Sequence, residues 1–247
     1  MSFFISHIHA DLRQARYARR GATHNAKDVP IGRHKEYQRM EKIMLPEPQH
    51  LDTRLADALN SRRSYYGGKN TGVIPIETWG TLLGLALKKR EGTTSRQYPS
   101  GGSLYPIETY VISTAVPECA GSVFHYNPSL HALEKLWGVP KDISVSNLVH
   151  TKKTDLHFST LIVLTGVWSR SSAKYGDFTY VLALLEAGHM SENILLVATA
   201  LGLQNRPMAG FNDESISKIL DLDLEEEQPI LAIMLSMKEQ ITINYRM

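Results

Sequence analysis

Lys174 and Tyr175 place an amine beside a phenol just ahead of a long apolar run. Such a pair suits proton transfer, or could simply be an exposed start to a helix. Within the run, Glu186, His189 and Asn193 are spaced three and four apart, so they share one helical face. Glu186-x-x-His189 has the form of half a di-iron carboxylate site. That site needs the motif from two helices, and the chain holds no second copy, so a hydrogen-bonded polar stripe is expected and no metal. SRRS, Ser61 to Ser64, offers two guanidiniums and two hydroxyls. Arginine forks bind phosphate bidentately, although a solvated basic turn has the same composition. In RQYPSGGSLYP, Arg96 to Pro106, paired glycines allow a backbone to approach a flat ligand closely, or merely make a tight turn. SHIHAD, Ser6 to Asp11, contains His-x-His-x-Asp but leaves no room for the strand that precedes this pattern in metallohydrolases.

These residues need elements to hold them. From Phe178 to Gly202 nearly every position is apolar or small on all sides, which predicts a helix buried by its own fold, by a second subunit, or by both. Asp177 is a plausible N-cap and Gly202 stands where a C-cap belongs. Leu51 to Asn60 reads as a short amphipathic helix, Ile76 to Lys88 as a second helix despite its glycines, and Ile216 to Leu220 as another. Thr109 to Ser113, Ser122 to Pro128 and Gln228 to Ser236 read as strands, and Leu130 to Trp137 carries an aliphatic and aromatic stripe. Phe158 to Trp168, β-branched and apolar throughout, reads as a central strand covered on both faces. PMAGF, Pro207 to Phe211, is a turn. The order predicts an α+β domain with a mostly antiparallel central sheet and packed helices, spanning residues 51–247. Residues 1–50, rich in Arg, Lys and His, read as an N-terminal extension.

The 247 residues suffice for a sizeable core. A net charge of +2 gives no reason to expect nucleic acid. The single cysteine, Cys119, excludes an intrachain disulfide and suits a reducing compartment. No apolar run is expected to reach the ~20 residues of a membrane span. The N-terminus lacks a secretory pattern, so a cytoplasmic location is expected.

SRRS, YPSGGSLYPIE, FHYNPSLHALEKL, KYG-x-x-x-Y, LLEAGHMSEN, ALGLQNR and AGF, in that order, resemble the SagB-type or microcin-type azoline dehydrogenases, a branch of the nitroreductase-like flavoproteins. The resemblance runs from about Leu51 to Ser236, with an echo at His24 to Lys27. It implies bound FMN and a homodimer with the flavin at the subunit interface. It implies oxidation of thiazoline or oxazoline rings to thiazole or oxazole in a ribosomally made peptide, beside a cyclodehydratase partner and its precursor peptide. By position, Arg62, Arg63 and Ser64 match flavin phosphate and ribityl contacts. Pro99, Ser100, Gly101 and Ser103 match the loop that reaches the flavin of the neighbouring subunit. Ala209 and Gly210 match the turn facing the ring edge, and Lys238 matches a terminal cation at the phosphate. Lys174 and Tyr175 match the catalytic pair. Three departures concern charge: Tyr66 stands where relatives carry a cation, Phe178 and Val181 replace arginines, and Lys238 is shifted. The alternatives are a flavin oxidoreductase acting on a free or carrier-bound small molecule, and a non-catalytic scaffold subunit.

Overall fold

The computed structural model describes residues 29–65, 72–113, 121–140, 148–149 and 158–237, together with positions 8, 11 and 14. Among these residues, seven strands form one antiparallel sheet: β1 (Glu41–Met44), β2 (Ile107–Ser113), β3 (Ser122–Asn127), β4 (Ala132–Gly138), β5 (Thr160–Val167), β6 (Gln204–Met208) and β7 (Glu227–Ser236). Their spatial order is β1-β4-β3-β2-β5-β7-β6. The helices are α1 (Leu55–Ser61), α2 (Ile76–Leu87), α3 (Ser169–Tyr175), α4 (Phe178–Ala200) and α5 (Asp213–Leu220). This is the expected α+β arrangement.

Alternation along the central strands sends side chains to two separate cores. Ile107, Val111, Ile162, Leu164, Ile233 and Leu235 face α2 and α4, packing with Trp79, Leu83, Ala187 and Ile194. Tyr110, Ile112, Leu161, Val163, Ala232 and Met234 face the other way, onto α5 and Phe211. Every residue of β5 is buried, as its unbroken apolar run requires. The glycines of α2 have a packing reason. A Cβ on Gly80 would lie 2.3 Å from the Pro46 carbonyl oxygen, and one on Gly84 would lie 2.3 Å from Pro48 Cγ.

Several boundaries differ from expectation. The 130–137 stripe is strand β4, paired with β3 in a hairpin. β6 was not expected, because Gln, Asn, Arg and Pro are weak strand formers; it lies at a sheet edge, where Pro207 is tolerated. β1 lies inside the segment read as an extension and pairs with β4. Asp177 precedes α4 but has helical dihedrals and makes no side-chain capping bond. α4 also has the length and composition to cross a membrane, which was not anticipated. Here Ala183, Ala187, Met190, Ile194 and Ala198 bury one side of it against the sheet and α2.

A charged cluster under β2 joins the 29–50 region to the sheet. His125 is buried between two carboxylates, with Nε2 2.9 Å from Glu108 and Nδ1 2.8 Å from Glu134. Burial pulls its imidazole down, but the bonds to Glu108 and Glu134 prevail and hold its pKa above the ordinary value. Burial pushes Glu108 up, yet the Arg170 guanidinium and then His125 outweigh it and hold this carboxyl well below the usual range. The Lys35 backbone amide donates to Glu108, and its ammonium pairs with Glu227.

Candidate active site

The Lys174–Tyr175 pair closes α3, and Gly176 (φ 53°, ψ −141°) separates that short helix from α4. Both polar ends converge on the glycine turn. A Cβ placed on Gly102 would lie 2.6 Å from the Tyr175 hydroxyl and 2.7 Å from Lys174 Nζ. Gly102 has φ +65°, a left-handed backbone that favours glycine, and a side chain there would have to push aside the tips of Lys174 and Tyr175. Ser103 and Tyr105, with φ of 57° and 50°, continue this strained course. Lys174 Nζ also lies 5.4 Å from the centroid of the Tyr175 ring.

Beneath the turn lies Glu186 of α4, 2 % exposed. Ser100 Oγ donates to Glu186 Oε2 at 2.5 Å and accepts from the Tyr105 amide at 2.9 Å. Glu186 Oε1 makes no hydrogen bond among the described residues. Burial pushes this carboxyl up, the Ser100 bond and Arg96 pull it back, and it settles at about 7. Gly101 faces Leu182, one helical turn before Glu186. The polar stripe divides. Glu186 holds the turn, Asn193 donates to the Ala86 and Gln97 carbonyls at 3.2 Å, and His189 is exposed.

The arginine motif sits elsewhere. Arg62 caps α1 and is half-buried; Arg63 is exposed, with Nη1 bonded to the carbonyls of Asn60 and Arg62 at 2.8 Å. Ser64 is exposed and bridges to Asn205 at the start of β6. The Asn205 amide in turn reaches the Leu195 carbonyl and the Thr199 hydroxyl at the C-terminal end of α4. From Leu182, beside the glycine turn, to Thr199 is roughly 25 Å of helix. The chain therefore brings Lys174, Tyr175 and Pro99–Ser103 together at one end of α4 and sets Arg62–Ser64 near the other. Ala209 and Gly210 form an exposed turn after β6, roughly 13 Å along the strand from Asn205. Lys238, Tyr66 and the 24–27 segment lie outside the described residues.

Sequence reasoning did not find Glu186 as the support of the glycine turn, because Ser100 and Glu186 lie 86 positions apart in the chain. Nor did it find the Glu108–His125–Glu134 cluster. Its only signal was charged residues inside otherwise apolar strands.

A family model described as the nitroreductase family matches residues 59–236, which include both ends of α4. The chain is 32% identical over 168 residues to the microcin B17-processing protein McbC of Escherichia coli. That match covers 64% of this chain and 60% of McbC. It is 24% identical over 212 residues to the trifolitoxin-processing protein TfxB of Rhizobium leguminosarum bv. trifolii, covering 79% of this chain and 56% of TfxB. The chain thus spans less than two thirds of either relative. Among solved structures it is similar to a chain of the E. coli microcin synthetase McbBCD complex with truncated pro-MccB17 bound. There the TM-score is 0.63 and identity 25%, over 96% of this chain and 92% of that one. The seven-stranded antiparallel sheet, the long helix beneath the glycine turn and the match over most of the chain agree: this chain belongs to the nitroreductase family.

Proposed function

We propose that this protein is an FMN-dependent dehydrogenase that oxidises thiazoline or oxazoline rings in a ribosomally made peptide. The observation that carries the reading is the convergence of Lys174 Nζ and Tyr175 Oη on Gly102, a left-handed backbone position where a Cβ would crowd both. The similarity to two peptide-processing proteins and to a chain of a synthetase complex supports a peptide substrate.

The residues present fit a phosphorylated flavin shared between two copies of the chain. Arg62 and the exposed Arg63 and Ser64 would hold the phosphate and ribityl chain. The Ala209–Gly210 turn, one strand's length away, would meet the ring edge. Pro99, Ser100, Gly101 and Ser103 would come from the second copy, because roughly 25 Å of α4 separates them from Arg62 in one chain. The exposed Tyr180, Leu184 and Leu185 on α4, with Leu55 and Leu59 on α1, give an apolar face for that association. A two-fold pairing of α4 helices running in opposite directions would set each Lys174 end against the partner's Arg62 end. Lys238, by its position in the sequence, is proposed to add to the phosphate site.

FMN would supply the two-electron acceptor. The chain supplies the proton handling. The amine of Lys174 accepts the proton of the ring C–H, and the Tyr175 hydroxyl beside it orients the amine and shares that proton. The Gly102 turn packs backbone rather than a side chain against the two polar ends. Cyclodehydratase subunits would deliver the cyclised peptide, and a cytoplasmic location suits that partnership.

The test is turnover of cyclised peptide by FMN-loaded Lys174→Ala and Tyr175→Phe. Lys174→Ala should lose ~10²-fold or more in rate while retaining flavin, and Tyr175→Phe should lose less. Normal turnover by flavin-loaded Lys174→Ala would overturn the assignment.

A further inference from the structure

Glu186 has no role in the chemistry proposed above, yet it is the buried acid nearest in structure to the turn on which that chemistry depends. Its carboxylate takes the Ser100 hydroxyl at 2.5 Å, and the same hydroxyl oxygen takes the Tyr105 amide at 2.9 Å. One relay therefore ties both flanks of Gly101–Ser103 to α4. The turn needs such a tie, since Gly102, Ser103 and Tyr105 all have positive φ, and two of the three are not glycine.

We propose that Glu186 is a positioning residue: through Ser100 it holds the Pro99–Ser103 turn against Lys174 and Tyr175. The proposal rests on the reading that these two residues are the catalytic pair. The groups that act on the Glu186 carboxylate are Ser100 from the turn, Arg96 ahead of it, Arg170 of α3 and the Ile107 amide of β2. The Ser100 bond favours the ionised carboxylate, but the cost of burying that charge exceeds it. Because burial holds this carboxyl's pKa at about 7, above its ordinary value, the closed turn that keeps it buried loosens as pH rises through that value.

The experiment follows hydrogen exchange at the Tyr105 amide, corrected for intrinsic rate, in the full chain with and without FMN. It is paired with steady-state turnover of cyclised peptide. In the unaltered protein, protection at Tyr105 should fall between pH 6 and pH 8. Glu186→Gln keeps an acceptor for Ser100, so it should keep protection and most of the turnover rate but lose the pH dependence. Glu186→Leu and Ser100→Ala should each lose about tenfold or more in protection, with kcat falling and KM little changed. Ser100→Ala carries the test if Glu186→Leu does not fold. The proposal is overturned if Ser100→Ala leaves Tyr105 exchange and turnover unchanged, or if Glu186→Gln keeps the pH dependence. A wild-type protein inactive on cyclised peptide would defeat the functional reading instead, and the exchange data would still decide whether Glu186 holds the turn.

Discussion

Replacing Glu186 with Gln should change how stability depends on pH, by an amount the structure sets. Burial against the sheet lifts this carboxyl from its ordinary 4.5 to about 7, and the Ser100 hydroxyl and Arg96 offset only part of the lift. The folded chain thus holds the proton more tightly than the unfolded chain does. Where the folded state binds more protons, stability falls as pH rises. The loss begins near the unfolded value and is complete above the folded one, for a total of about 3 kcal/mol. Roughly 2–3 kcal/mol of it falls between pH 5 and pH 8. Gln at this position is neutral throughout, so the difference in stability between variant and parent should move in the variant's favour by that amount. Urea unfolding of both proteins at the two pH values, at one protein and flavin concentration, measures it. Parallel pH profiles for the two proteins would refute the claim that Glu186 is held in a site that disfavours its charge.

Other outcomes follow from the same geometry. Arg62→Ala should weaken FMN binding by ~10-fold or more, because a charge-assisted contact contributes about 1.5–3 kcal/mol; quenching of flavin fluorescence on titration reads this directly. Leu185→Arg puts a charge on the exposed apolar face of α4, and light scattering should show a monomer that has also lost its flavin. His125→Leu leaves Glu108 and Glu134 buried without their shared partner and should cost about 3–5 kcal/mol, measured as a lowered denaturant midpoint. Gly102→Ala should abolish turnover while the rest of the fold persists, since its methyl group would collide with Lys174 Nζ and the Tyr175 hydroxyl; circular dichroism and activity together check this.

The strands and helices with a regular period were legible from residue type alone. β5 is buried along its whole length, β7 carries an apolar run over 230–235, and α4 is apolar around most of its circumference with Gly202 (φ +73°) just beyond its end. β6 was hidden because Gln204, Asn205, Arg206 and Pro207 have the composition of a loop, and only pairing with β7 makes them a strand. β1 was hidden for a similar reason: four residues carry no period, and the edge of β4 selects them. At the site, adjacent residues were easy to see and distant ones were not. Lys174 and Tyr175 announce themselves, whereas the contact between Ser100 and Glu186 exists only once β2 and α4 are packed. The equal spacing of Glu186, His189 and Asn193 suggested one shared role, yet burial sorted them into a turn support, a tie to α2 and an exposed imidazole.

The central claim is that each active site draws on two copies of the chain, and complementation tests it most directly. Arg62→Glu disables the phosphate end and Lys174→Ala the proton-transfer end, so neither variant alone should oxidise cyclised peptide. If the two ends of a site come from different chains, a mixed dimer carries one doubly damaged site and one intact site. Co-expression of the two variants should then restore about a quarter of wild-type activity, seen by mass spectrometry as loss of two hydrogens per ring. A mixture that stays as inactive as its parents, with mixed dimers confirmed by differential tags, would contradict the shared site.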